Sequence, residues 1–152
     1  MRIPVWVMVG IAALGTMRAA TAAPPAQAEE IGKHLEFLGY KITIDEDKLE
    51  AQHNVYLNFT LRDYRGGMLL TAYFTGNEFS KTHQAEFLEF VNALNLGAAA
   101  ARYYIDKDGD LLIEGYYPGT YDKANFGAFM DAFNLTQGQL SADSDRLLKF
   151  VN

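Results

Sequence analysis

The 152-residue sequence predicts an α+β domain in which helices pack on an antiparallel sheet. Three observations carry this. Two stretches, 55–62 and 68–74, alternate apolar and polar residues with period two. Longer stretches place Phe and Leu at spacings of three and four, and turns rich in Gly and Asp separate them. Hydrophobic residues make up 49% of the chain and charged residues 21%, which is apolar surface enough to offset the entropy of ordering one core.

Residues 1–28 have a different composition. Arg2 and Arg18 are their only charges, and Ile3 to Met17 form an apolar run without an ionisable group. That run is short of the roughly 18 to 20 residues that span a bilayer comfortably. Small residues follow, with A-x-A-like sites ending at Ala22 and at Ala28, as in a secretory signal peptide. The expectation is an exported, periplasmic or secreted protein cleaved after Ala22 or Ala28, with its domain over 29–152. Removing both arginines takes the net charge from −6 to −8, which disfavours nucleic acid and anionic membranes as partners.

From Glu29 the elements follow in order. Ile31, Leu35 and Leu38 mark a helix, with Gly39 as its stop. Tyr40 to Ile44 alternate as a short strand, and Asp45-Glu46-Asp47 turn. Val55 to Arg62 predict a second strand, Gly66-Gly67 a turn, and Met68 to Phe74 a third strand, giving a three-strand meander. Ser80 or Thr82 caps a second helix with Phe87, Phe90, Val91 and Leu94 as its stripe, widened by Leu88, and Asn95 and Gly97 as its end. In the hairpin beyond it, a loop with Gly109 in a left-handed bulge pairs Ile105 with Leu111, Tyr103 with Ile113 and Arg102 with Glu114. This register separates oily from charged side chains. Asp122 caps a third helix bearing Phe126, Phe129, Met130 and Phe133. The pattern loosens over 134–140, and a short helix from about Asp143 is expected to bury Leu147, Leu148 and Val151.

The string Val91-Asn92-Ala93-Leu94-Asn95, followed by Ala101 to Glu114 with its Asp106-Lys107-Asp108-Gly109-Asp110 turn, resembles the YbjN family, also called bacterial sensory transduction regulators. Leu94 stands where relatives often carry an aromatic, Pro118-Gly119 where they carry Gly-Gly, and the cysteines of exported relatives are missing. The resemblance covers most of 29–152. It implies a type III secretion chaperone-like fold and a non-enzymatic module that binds a protein segment, and it transfers no catalytic residue.

The residues themselves agree. Asp106, Asp108 and Asp110 lack the sixth-position Gly and twelfth-position Glu of a calcium loop, because Gly109 is fourth and Tyr117 twelfth. His34, His53 and His83 fall in separate elements without metal-site spacing, and Ser80, Ser141 and Ser144 lie in no nucleophile elbow. No cofactor or small-molecule ligand is called for; a hydrolase or metal-dependent enzyme with an unrecognised site is the alternative. Tyr56, Tyr73, Tyr104, Leu112 and Tyr116 are expected on the strand face opposite the main apolar set. There they would bind a protein partner or a second copy in a homodimer, or simply pair across strands.

Overall fold

The computed structural model describes residues 27–45 and 48–152. The predicted leader, with Ala22, lies outside them. Ala28 lies inside, as the first residue of α1 (Ala28–Phe37). The order continues with β1 (Lys41–Ile44), β2 (Leu49–Gln52), β3 (Phe59–Tyr64), β4 (Gly67–Phe74), α2 (Glu78–Thr82) and α3 (Gln84–Gly97). It ends with β5 (Arg102–Ile105), β6 (Leu111–Tyr117), α4 (Lys123–Ala142) and α5 (Ser144–Leu147). Among the described residues the strands form one antiparallel six-stranded sheet, in the order β1-β2-β3-β4-β6-β5. None of the described helices is long and apolar enough to cross a membrane.

The expected α+β class holds, with one strand more than the sequence predicts. β2 contributes only Leu49 and Ala51 to the core, so its period-two signal is two residues long. The strand expected from Val55 begins only at Phe59. The segment before it is tied elsewhere: Gln137 of α4 accepts from Leu57 N at 2.7 Å and donates to Val55 O at 2.6 Å.

Turn chemistry fixes the phase of the neighbouring elements. Gly39, at φ +93°, closes α1 in a Schellman motif in which Gly39 N donates to Glu36 O and Tyr40 N to Leu35 O. Arg65 and Gly66, both at positive φ, make the tight β3–β4 hairpin. In the β5–β6 hairpin Gly109 takes φ +88°, and the register is the expected one, with Ile105 opposite Leu111, Tyr103 opposite Ile113 and Arg102 opposite Glu114.

Helices α1, α3 and α4 pack on the sheet face that carries Leu61, Leu70, Ala72, Leu111 and Ile113, all buried with the phenylalanines of α3 and α4. Four details differ from expectation. Asn77, rather than Ser80 or Thr82, caps α2, its side chain accepting from Ser80 N, and His83 starts α3 without a side-chain bond. Leu88 is exposed. α4 runs unbroken to Ala142, because Thr136 and Leu140 continue its buried stripe after Phe133. At the end of the chain Leu148 is exposed and Phe150 is buried, its ring stacked 4.7 Å from Phe87 and 5.7 Å from Phe90. A bridge from Val151 to Gly76 and bonds from Asn77 Nδ2 to Lys149 O and Val151 O hold that return in place.

One polar contact joins α3 to the sheet. Asn95 accepts from Tyr103 N and donates to Tyr103 O, both at 2.9 Å. Its amide therefore satisfies a donor and an acceptor on the outer edge of β5, as a neighbouring strand would.

Candidate functional site

Because side chains alternate along a strand, the residues between the core positions fall on the opposite face, which the described helices leave uncovered. The registers set them in rows. Tyr73, Leu112 and Tyr104 lie side by side across β4, β6 and β5, and Thr71, Glu114 and Arg102 form the next row. Arg62, Leu69 and Tyr116 form the third, across β3, β4 and β6. Four of the five predicted surface residues, Tyr73, Tyr104, Leu112 and Tyr116, thus share one face. Tyr73 is 66% exposed and Tyr116 44%, with Leu112 and Tyr104 half-buried between them.

Tyr56 does not join them. It lies in the loop before β3, where His53 Nδ1 accepts from Val55 N at 2.9 Å and from Tyr56 N at 3.0 Å. Its ring meets those of His53 at 4.8 Å and Tyr40 at 6.4 Å. The alternation through Val55 and Leu57 is that of a loop anchored on α4, so it does not place Tyr56 on a strand face.

The face also carries residues that the sequence reading did not single out as a site. Tyr64 continues the alternation Thr60, Arg62, Tyr64 beyond the predicted end of the strand, and its ring lies 6.2 Å from that of Tyr116. The Arg65 guanidinium stands 5.2 Å over the Tyr64 ring, and Tyr116 Oη donates to Arg65 O at 3.1 Å. With Leu69, Glu114, Phe129 and the 99–101 loop these residues line an open depression of about 600 Å³, where β5 ends and β6 continues paired with β4 only.

Glu114 is the polar centre of this region, with 8% of its surface exposed. Oε1 accepts from Tyr104 Oη at 3.0 Å, while Oε2 accepts from Arg102 Nε at 3.0 Å and from Arg102 Nη2. Burial, and then the bond to Glu114, pushes the Tyr104 hydroxyl above its ordinary range, and the Glu114 carboxylate raises Arg102. Each formal charge of the pair is matched, so the arrangement fixes these side chains against one another.

Elsewhere the chemical candidates serve structure. Asp106 Oδ1 accepts from Asp108 N at 2.9 Å and Asp110 N at 3.0 Å, and Asp110 Oδ1 accepts from Gly76 N at 2.9 Å, so the trio builds a turn. His34 bonds Tyr121 Oη at 3.0 Å beside Phe126, His53 organises the Tyr56 loop, and His83 stacks on Phe79 at 3.8 Å. Among the described residues no three His, Asp or Glu side chains converge as metal ligands.

The fold and its open face define a YbjN-like, type III secretion chaperone-like α+β domain. Its backbone is similar to that of YbjN from E. coli, named as a candidate transcription regulator, with a TM-score of 0.61 at 12% identity over 82% of this chain and 94% of that one. It is also similar to a chain of the heterodimeric ExoU-SpcU complex from the type III secretion system of Pseudomonas aeruginosa. There the TM-score is 0.53 at 16% identity, over 72% of this chain and 93% of that one. No protein-family model and no curated protein matches the sequence.

Proposed function

We propose that this chain is an exported, non-enzymatic protein-binding module of chaperone-like type, acting through the open face of its sheet. The observation that carries the reading is the uncovered tyrosine-leucine surface: Tyr73, Tyr104 and Tyr116 present large rigid contact areas with polar tips, around Leu69 and Leu112. One structural neighbour comes from a heterodimeric complex, which supports a protein as the partner. The test is capture from a periplasmic extract with the domain as bait, beside a Tyr104→Ser/Tyr116→Ser variant. The variant should stay folded and lose the captured protein, or lose self-association if sedimentation shows a dimer. Retained capture by the variant overturns the reading.

Export rests on the leader-like composition of residues 1–28. Cleavage after Ala22 is the better supported site, because Gln27 and Ala28 belong to the domain. Gln27 O accepts from Ile31 N, Gln27 Oε1 accepts from Tyr121 N, and Ala28 is buried. N-terminal sequencing of the exported form should read Ala23 first; a start at Glu29 rejects this site, and a start at Met1 rejects processing.

A further inference from the structure

Beyond residues 1–28, the open face gathers most of the arginines of an otherwise acidic chain. Outside residues 1–28 there are four arginines, Arg62, Arg65, Arg102 and Arg146, and three of them stand on or beside this face. Of the carboxylates on or beside it, Glu50 is matched by Lys48 at 2.7 Å and Glu114 by Arg102, while Asp45 acts on Lys48 and Asp106 on Tyr104. Arg62 and Arg65 make no salt bridge among the described residues, and Lys41 adds a further cation on the outer side of β1. In a chain of net charge −6, the lining of the depression carries Arg65 and Arg102 against one carboxylate, Glu114, set among tyrosines.

Resting on the protein-binding reading above, we infer that the partner segment is acidic and carries a bulky apolar side chain. Its carboxylates meet Arg62 and Arg65, and the apolar group fills the depression between Leu69, Tyr116 and Phe129. The depression of about 600 Å³ has room for a large side chain, with Leu69, Phe129 and the alanines of 99–101 as its apolar wall and Arg65 and Arg102 at its polar side. The Arg65 fork, laid over the Tyr64 ring, is held in a restricted orientation, and a planar guanidinium pairs with a carboxylate through two parallel bonds. A short segment interacts mainly with the field within about 10 Å, the screening length at moderate salt. A long polyanion would instead meet the acidic remainder of the molecule. That contrast selects an acidic protein segment over a nucleic acid.

The probes are two labelled ten-residue peptides with identical Phe and Leu positions, one with Glu and one with Lys at the alternate positions, and a 20-nucleotide single strand. Binding to the full domain is read by fluorescence anisotropy at low and high salt. The Glu peptide should bind at least about tenfold more tightly than the Lys peptide, and should weaken as salt rises, as expected for exposed ion pairs. Arg62→Glu/Arg65→Glu should abolish or invert that preference, and Arg62→Gln/Arg65→Gln should fall between. Replacing Phe by Ser in the Glu peptide should weaken binding further. Equal binding of both peptides, lost in Tyr104→Ser/Tyr116→Ser, rejects the acidic partner and leaves the protein-binding reading standing. Binding that the tyrosine variant does not disturb rejects both. A preference for the oligonucleotide, failure of the Glu peptide to bind, or a dimer through this face that is indifferent to both arginine variants also rejects the acidic partner.

Discussion

The two faces of the sheet are made by the same strands and differ in almost every property. One face is filled with Leu, Ile, Ala and Phe side chains against α1, α3 and α4, and the buried Tyr103 hydroxyl among them is satisfied by Thr136 O at 3.0 Å. The other sets Tyr beside Arg, Thr and Glu and leaves Tyr73 two-thirds exposed. One residue of β4 or β6 holds the fold while the next is free to meet a partner. Stability and the proposed recognition are therefore separable by position along a single strand.

The largest expected effect is in the covered layer. Phe150→Ala should cost about 3–5 kcal/mol, because the ring is fully buried against Phe87 and Phe90, and chemical denaturation measures it directly. A loss below about 1 kcal/mol would mean that the C-terminal return is dispensable and the core smaller than described. Next, Asn95→Ala should cost about 1–2 kcal/mol by removing both bonds to the Tyr103 backbone. Faster hydrogen exchange at Tyr103 N would locate the damage on the edge of β5.

A smaller, pH-dependent effect comes from His34. Burial first, and Lys123 second, hold its imidazole below the ordinary histidine value of 6.5. Unfolding therefore takes up a proton in acid, so the stability this group contributes is present above about pH 6.5 and declines as pH falls below it. The urea midpoint should drop less between pH 7.5 and 5 in His34→Gln than in the parent; equal drops would assign the acid sensitivity elsewhere. Smallest of all, Tyr73→Ser and Tyr116→Ser should each shift stability by less than about 1 kcal/mol, the scale of a cross-strand pair. If they unfolded the protein as Phe150→Ala does, the division of labour between the faces would be wrong.

How much of this was legible in the sequence depends on the strength of each local signal. The β5–β6 register could be read because a one-residue slip would have put Glu114 among the apolar residues. The surface quartet could be read because Tyr73, Tyr104, Leu112 and Tyr116 lie inside strands whose period is unbroken. Tyr56 could not, since Val55 and Leu57 imitate a strand in a loop that Gln137 holds from a distance of about eighty positions. Phe150 was hidden by the end of helical periodicity at Leu148, after which a tight turn swings the ring inward. The place of Glu50 on the open face, beside Thr60, needs the pairing of β2 with β3, and β2 was too short to announce itself.

The Asn95 amide fastens α3 to β5 across an intervening stretch that carries no part of that bond. Residues 99–101 within this stretch form one wall of the depression beside β6. Ala98 and Ala101 of this stretch also pack against the core, which leaves Ala99 and Ala100 as the positions that face the depression without holding the fold. Substitution at those two positions would reshape what the depression admits while the sheet stays unchanged.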